Sequence, residues 1–381
     1  MLNVRRGTSR QPDTERAALE IAKAIAQDGP ALGVVFASPR YDFPALARLL
    51  AAHLPFPVIG CSTAGQVTRE HGYSRDGIEA LSIAAPGLAV ATRLIEDIST
   101  FDLGRAVEVS DALFAELGTE HPRPGHAFAF VLLDGLSRAE ERVASELYGT
   151  LRGLPIIGGS AGDDLAFERT FVFANGLART GAAVLCVAES PVPVLEFHEQ
   201  HFTPTERRMV ITAADPSRRL VTEIDGKAAA LAYAHALGLR VDELSAAVFS
   251  ANPVTVMLDG QPWVRSIQRV DGEGLVFYCA VAVGMVLRLA RGSHQLERLD
   301  RLLGRLDEEV GGASLILGCD CILRRLELEG RGELDEAGRV LARAPFFGFS
   351  TYGELRGAVH VNHTLTGLAF GGGPRGTGGA P

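Results

Sequence analysis

Pro57-Val58-Ile59-Gly60-Cys61-Ser62-Thr63-Ala64-Gly65-Gln66 returns near the end of the chain as Pro345-Phe346-Phe347-Gly348-Phe349-Ser350-Thr351-Tyr352-Gly353-Glu354. Pro, Gly, Ser, Thr and Gly hold the same register in both. A shorter version lies between them: Pro155-Ile156-Ile157-Gly158-Gly159-Ser160-Ala161-Gly162. Internal repetition constrains a fold more than any single motif does. It also directs the search for function to the Gly- and Ser-rich turns that each copy repeats.

Upstream of each copy runs a short apolar segment: Leu32 to Ala37, Ala127 to Leu133, and Ser314 to Cys319. These read as buried strands ending at Ser38, Asp134 and Asp320, short polar residues suited to capping a helix. A helix-like segment follows each, over Phe43–His53, Ala139–Leu151 and Ile322–Ala344, the last interrupted at Gly330–Gly332. Leu46, Leu49 and Leu50, and likewise Val143, Leu147 and Leu151, recur at the spacing of one helical face. After each turn comes another strand-like segment: Ile78–Ala84, Thr170–Ala174 and Val359–Leu365. The unit is therefore β-α-β-β, used three times, with Gly60, Gly158 and Gly348 equivalent. The fold class is α/β: two domains built partly from repeated β-α-β-β units with mixed sheets.

With 47% hydrophobic and 22% charged residues, a chain of 381 can bury a large core. A net charge of −9 argues against nucleic acid as partner, because phosphate binding needs a basic face. The longest apolar run, Leu275 to Leu287, is far short of the roughly 20 residues that span a bilayer. The N-terminus lacks the apolar core of a signal peptide. The expectation is a cytoplasmic protein that touches no membrane. Five scattered cysteines make no disulfide framework and read as small buried side chains.

An amphipathic helix is expected from Asp13 to about Gln27. Two repeat units fill about 30–200. A polar stretch with Pro204 and Pro216 places the domain boundary after 218, giving domains 1–218 and 219–370, with the third unit at 313–370. In the second domain a helix is expected over Gly226–Leu237 and another over Ser293–Val310. Leu244–Leu258 and Pro262–Leu289 read as strands around Asp259-Gly260 and Asp271-Gly272 turns. The Gly-rich end, 371–381, reads as a disordered tail.

At these residues the chain resembles the FIST family, a bacterial sensory module with FIST N and FIST C parts. Val58 to Gly65 is similar to its first signature. Pro155 to Asp164 with Phe173-Ala174-Asn175-Gly176 is similar to its second. Phe349 to Glu354 with His360-Val361-Asn362 is similar to its ending. Gln66, where the pattern has Glu, and His363, where Gln is usual, depart from it. The resemblance spans roughly residues 5–370 and implies small-ligand sensing, with amino acids as one proposed class. The size and ending resemble the haem-containing nitric-oxide sensors, which work with histidine kinases and cyclic-di-GMP enzymes. No kinase or cyclase motif occurs here, so the resemblance implies output through such a partner.

A haem sensor needs a proximal ligand in an apolar pocket. No Cys-x-x-Cys-His accompanies the ten histidines, which excludes covalent c-type haem, so the haem that the resemblance implies is haem b. His360 is the favoured axial ligand, on a strand directly after the third turn. His198, His201 and His363 compete with it, and Cys61 is weaker. His198 and His201 point to opposite faces if their segment is a strand. The candidate ligand-binding residues are Gly60, Ser62, Thr63, Ser160, Asp163, Asn175, Ser350, Tyr352, Glu354 and Asn362. Glycines permit close backbone approach, while Ser, Thr, Tyr, Asn and carboxylates offer hydrogen bonds. The turns of the first and third copies are expected to meet at one cavity between the domains. Gly158 to Gly162 also matches the nucleophile elbow Gly-x-Ser-x-Gly. That elbow must lead into a helix, whereas here a strand follows, so a serine hydrolase ranks third, after haem-linked sensing and haem-free binding of an amino acid or other small molecule, and no catalytic or metal-binding residue is assigned.

Overall fold

The computed structural model describes residues 2–29, 31–258 and 260–372. Most of the expected tail, from 373 on, lies outside them, as does Asp259 of one expected turn.

Three six-stranded mixed sheets share one strand order. The first runs Asn3–Ser9, Ile78–Ala84, Ala31–Ala37, Val58–Ser62, Val172–Ala174, Leu177–Arg179. The second runs Ala89–Ile95, Ala183–Glu189, Ala127–Leu133, Ile156–Ser160, Glu354–Arg356, Val359–Val361. The third runs Val194–Gln200, Thr364–Phe370, Leu315–Cys321, Phe346–Thr351, Gln66–Thr68, Gly72–Ser74. In each, the third and fourth strands are parallel and all other pairs antiparallel. A parallel pair needs a crossover, supplied here by helices Phe43–His53, Glu140–Thr150, and the pair Ile322–Arg331 and Leu334–Leu341. The last two strands of every sheet are a hairpin lent by another unit. The first unit lends to the third sheet, the second to the first, and the third to the second.

Each unit also opens with an edge strand and a helix, so the repeat is larger than β-α-β-β. The opening helices are Thr14–Ile25, Leu103–Leu117 and Gln295–Glu309. The first is capped by Asp13, whose carboxylate accepts from Arg16 N. In the third unit the edge strand and helix are separated by an insertion, Phe202 to Gly292. It forms an eight-stranded antiparallel sheet with helices Ala229–Leu237 and Ala246–Ala251.

The inner faces of the three sheets share one core, including Phe36, Phe130, Phe347 and Phe349. Phe36 stacks on Phe349 with ring centroids 4.2 Å apart, tying the first sheet to the third. Burial on both faces explains why these strands read as unbroken apolar runs. Val35 pairs with Gly60, Val131 with Gly158, and Gly318 with Gly348. A β-carbon on any of these three glycines would strike the carbonyl oxygen of Val35, Val131 or Gly318 respectively. The three glycines therefore occupy the same position and meet the same close approach.

Several local expectations are corrected. The counterparts of Ile78–Ala84 are Ala183–Glu189 and Thr364–Phe370, while Thr170–Ala174 instead contains a strand of the lent hairpin. Val359–Leu365 is broken by a turn at Asn362-His363, with His363 at φ +55°. Leu244–Leu258 is part helix: Ser245 caps Ala246–Ala251, and only Val254–Leu258 is strand. The expected caps do not cap. The Phe43–His53 helix is capped by Asp42, and Asp320 sits buried inside its strand, 2.6 Å from Arg324. Residues 218/219 fall at the tight turn joining Phe202–Asp215 to Leu220–Ile224, two strands that pair with each other.

Candidate functional site at the meeting of the three turns

The three repeated turns close a ring. Ala64 N donates to Ser350 O (3.1 Å), Gly162 N to Ser62 O (3.0 Å), and Tyr352 N to Ser160 O (3.1 Å). Positions 64, 162 and 352 crowd at the centre. A β-carbon on Gly162 would sit 2.7 Å from Ala64 N and 3.2 Å from the Tyr352 ring. Tyr352 supplies the one large side chain of this trio. Its hydroxyl donates to Asp163 and accepts from Leu165 N at 2.7 Å.

Asp163 organises the loop that follows it. Its carboxylate also accepts from the backbone N–H groups of Phe167 (3.0 Å), Glu168 (2.7 Å) and Arg169 (2.9 Å). Asp164, Leu165 and Phe167 all have positive φ. Three non-glycine residues in that region within one loop hold conformational strain, which persists only where surroundings enforce it. Asp134 secures the far end of the loop by accepting from Thr170 Oγ1.

Beside this vertex lies a cleft of about 250 Å³. Leu136, Arg138, Glu140 and Phe167 line one side, and Arg218, Arg219, Gln268 and Tyr278 of the insertion line the other. Tyr352 lies beneath, with Phe167 stacked on it at 5.1 Å. A larger cleft of about 650 Å³ lies on the other side of the 163–171 loop, lined by Tyr41, Phe43, Asp163, Arg169 and Phe171 among others.

The floor of the smaller cleft is a buried ion network. Arg219 donates to Glu140 (2.7 Å) and to Glu141 (2.8 Å), and also to the Tyr278 carbonyl. Glu141 accepts from Ala280 N at 2.6 Å and lies 3.4 Å from His360 Nδ1. Burial raises the Glu141 carboxyl, but the nearby His360 imidazole and the Arg219 guanidinium outweigh it and hold the group below the usual carboxylate range. The network pins the helix Glu140–Thr150 to the inserted sheet. Breaking one partner of such a buried set typically costs ~3–5 kcal/mol.

The FIST N domain model matches residues 31–227 and the FIST C domain model residues 229–356. This chain belongs to the FIST family. FIST domains are in general small-ligand sensors in signal transduction, typically sensory rather than catalytic. No curated protein matches the chain. Among solved structures, the chain is similar to a crystal structure of cyanuric acid hydrolase from A. caulinodans. Identity is 14% over 97% of this chain and 99% of that one, with a TM-score of 0.34. The small cleft is thus lined by residues of both matches, Leu136 to Arg219 from FIST N and Gln268 to Tyr352 from FIST C.

The residues singled out in the sequence fall into distinct settings in this FIST fold. Ser62, Ser160 and Ser350 are fully buried. Ser62 Oγ accepts from Phe171 N at 2.9 Å, while Ser160 Oγ and Ser350 Oγ have no partner among the described residues. Thr63 Oγ1 bonds to Ala37 O and accepts from Gly65 N, and Gly60 packs under Phe173. Asn175 lies at the tip of a lent hairpin, bonded to Thr92 Oγ1 and Val58 N, remote from the cleft. Asn362 donates to Tyr352 O, and Glu354 accepts from Thr351 and Thr364. Of the ten ligand-binding candidates, Tyr352 lines the small cleft and Asp163 the large one.

The four histidines do not share a site. His198 lies against Trp263, its imidazole pushed down to about 4 by burial. His201 has Nε2 on Glu327 (2.7 Å) and Nδ1 beside Arg324 (3.4 Å). His360 lies across Gly353. His363 is edge-on to Phe202, and burial holds it well below its ordinary value. None of the four lines either cleft at the vertex. Neither cleft therefore offers a haem an axial histidine, which needs an open face beside the imidazole.

Arg138, Glu140, Glu141, Phe167, Arg219 and Tyr278 escaped the reading of the sequence. Glu140-Glu141 at a helix start and Arg218-Arg219 after a proline are the local signals available. Their complementarity appears only when the insertion folds back onto the second unit.

Proposed function

We propose that this FIST protein is a sensor whose small-molecule ligand binds in the cleft between the FIST N and FIST C parts. The observation that carries the reading is the double role of Tyr352. It lies beneath the cleft, and through Asp163 it clamps a strained loop that separates two clefts. A ligand that shifts Phe167 or Tyr352 would change the hold on that loop, and a two-state element biased by binding is what a sensor requires. Output would pass to a partner, for which a histidine kinase or a cyclic-di-GMP enzyme remains the proposal. No catalytic step is proposed: Ser160 is fully buried and lines neither cleft.

Hydrogen exchange of the full chain with and without a ligand found by thermal-shift screening, amino acids included, tests this. Protection should appear at 135–140 and 163–171. Protection confined to another part of the molecule would remove the cleft from consideration. Nitric-oxide sensing through haem is decided by an absorption spectrum of protein purified after haem supplementation. A Soret band that moves with nitric oxide would displace the present reading.

A further inference from the structure

We infer that the ligand of the small cleft is a small aromatic monocarboxylate, its charge met by Arg138 and its ring by Phe167 and Tyr278. The inference rests on the cleft being the sensing site and concerns what that site selects. Among the charged residues lining it, three are arginines and one, Glu140, is a carboxylate. Glu141 and Asp271 lie just outside the lining and offset two of these charges. Glu140 and Glu141 are committed to Arg219, and Arg218 pairs with Asp271 at 3.1 Å. Arg138 is left with a single hydrogen bond, to the Ser217 carbonyl at 3.4 Å, and no carboxylate among the described residues. A guanidinium with its fork free is suited to a carboxylate held bidentately.

Backbone geometry singles out the same residues. Arg138 has φ +56° and Phe167 φ +54°, conformations that L-residues other than Asn and Asp seldom adopt. Both side chains are exposed beside the cleft. Strained residues that present exposed side chains to one concavity point to binding rather than to stability.

The ring is implied by the remaining walls. Phe167 lies 6.5 Å from Tyr278 and 5.1 Å from Tyr352, centroid to centroid, so aromatic faces dominate one end of the cleft. Aromatic partners prefer such walls in offset or edge-on geometry. The volume of about 250 Å³ admits one ring with a short acid. An amino acid is disfavoured because its ammonium would face arginines, with Glu140 already taken.

Isothermal titration of the full chain with benzoate and phenylacetate tests the inference, with acetate, benzamide and phenylalanine as controls. At least one aromatic acid should bind saturably, one per chain, and about tenfold or more tighter than each control. Arg138→Asn is the decisive variant, because Asn tolerates the left-handed backbone and should leave the fold intact by circular dichroism. It should weaken the aromatic acid about tenfold or more, and Phe167→Leu should do the same. No saturable binding of either acid, or equal affinity in Arg138→Asn, would overturn the assignment. Preference for benzamide or phenylalanine, lost in Phe167→Leu, would overturn the anion while leaving the cleft as the sensing site. Binding of an aromatic acid with protection only outside the cleft would overturn both.

Discussion

His360 shows how one residue's identity is fixed by another far from it in sequence. A β-carbon on Gly353 would strike its Nε2 and come within 3.1 Å of Asn362 Nδ2. Gly353→Ala should therefore cost ~1–3 kcal/mol through overpacking. In a double-mutant cycle with His360→Ala much of that loss should vanish, read from urea midpoints. An equal loss in both backgrounds would show that the imidazole is not the obstacle. Glu354 gives a second prediction at this scale. Burial pushes its carboxyl up to about 8, against the hydrogen bonds from Thr351 and Thr364, and Asp320 adds to the rise. The folded state then keeps a proton that the unfolded chain releases near 4.5. Between those values the native state binds more protons, so this group's contribution to stability falls as pH rises. Glu354→Gln should remove the slope. From pH 5.5 to 7.5 the wild type should lose ~2–3 kcal/mol relative to the variant. His198 and His363, held neutral by burial, act in the opposite sense below their ordinary value of 6.5 in both proteins, so the difference isolates Glu354. The chain holds its own precedent: Gln66, at the equivalent position and with its amide turned to satisfy its neighbours, accepts from Thr63 Oγ1 at 3.2 Å as Glu354 accepts from Thr351. The Gly, Ser and Thr positions were legible because their register repeats. The Glu141 partner of His360 was not, because no local pattern links residues so far apart in the chain.

Among the elements, the 163–171 loop has the most to lose from a single change. Asp163→Ala removes the acceptor for three backbone N–H groups and for the Tyr352 hydroxyl. The expected cost is ~2–4 kcal/mol, with faster hydrogen exchange at the amides of Phe167, Glu168 and Arg169. Tyr352→Phe keeps the three backbone bonds and should cost only ~1 kcal/mol, although Leu165 N loses its acceptor. Unchanged exchange in Asp163→Ala would mean that the loop is held by packing instead. The sequence located this loop by its Asp-Asp pair but not its shape, because clusters of positive φ at Asp164, Leu165 and Phe167 carry no composition signal when glycine is absent. Helices and strands with long periodic faces were legible, such as Thr14–Ile25 and Gln295–Glu309. Ala246–Ala251 was not, since six residues are too few to show a helical period beside the strand Val254–Leu258.

For the whole molecule, the exchange of hairpins makes the sheets interdependent. Each sheet is built from two units, and the exchange runs in a closed cycle from first to third, third to second, and second to first. The repeated turns announced three units, but nothing in them said where the following hairpin pairs. An apolar hairpin reads the same whether it stays in its own sheet or joins its neighbour's. The insertion, Phe202 to Gly292, added to the difficulty by parting the third unit's edge strand from its helix. A chain ending at residue 226 would retain Gln66–Thr68 and Ile156–Ser160 but lack their partners Phe346–Thr351 and Glu354–Arg356. It would also uncover part of the shared core, including Phe128 and Phe36, whose partners Phe370 and Phe349 lie in the missing part. Unpaired edges and uncovered aromatic faces promote association rather than folding. The FIST N part alone should therefore lack the near-ultraviolet circular dichroism of a packed core and aggregate at micromolar concentration. Co-expressed with residues 227–381, it should recover as a stoichiometric complex. The intact chain should melt in one calorimetric transition, because no sheet among the three can open without disturbing another. A well-packed, monomeric FIST N fragment, or two resolved transitions for the intact chain, would show that the exchanged hairpins decorate the fold rather than hold it together.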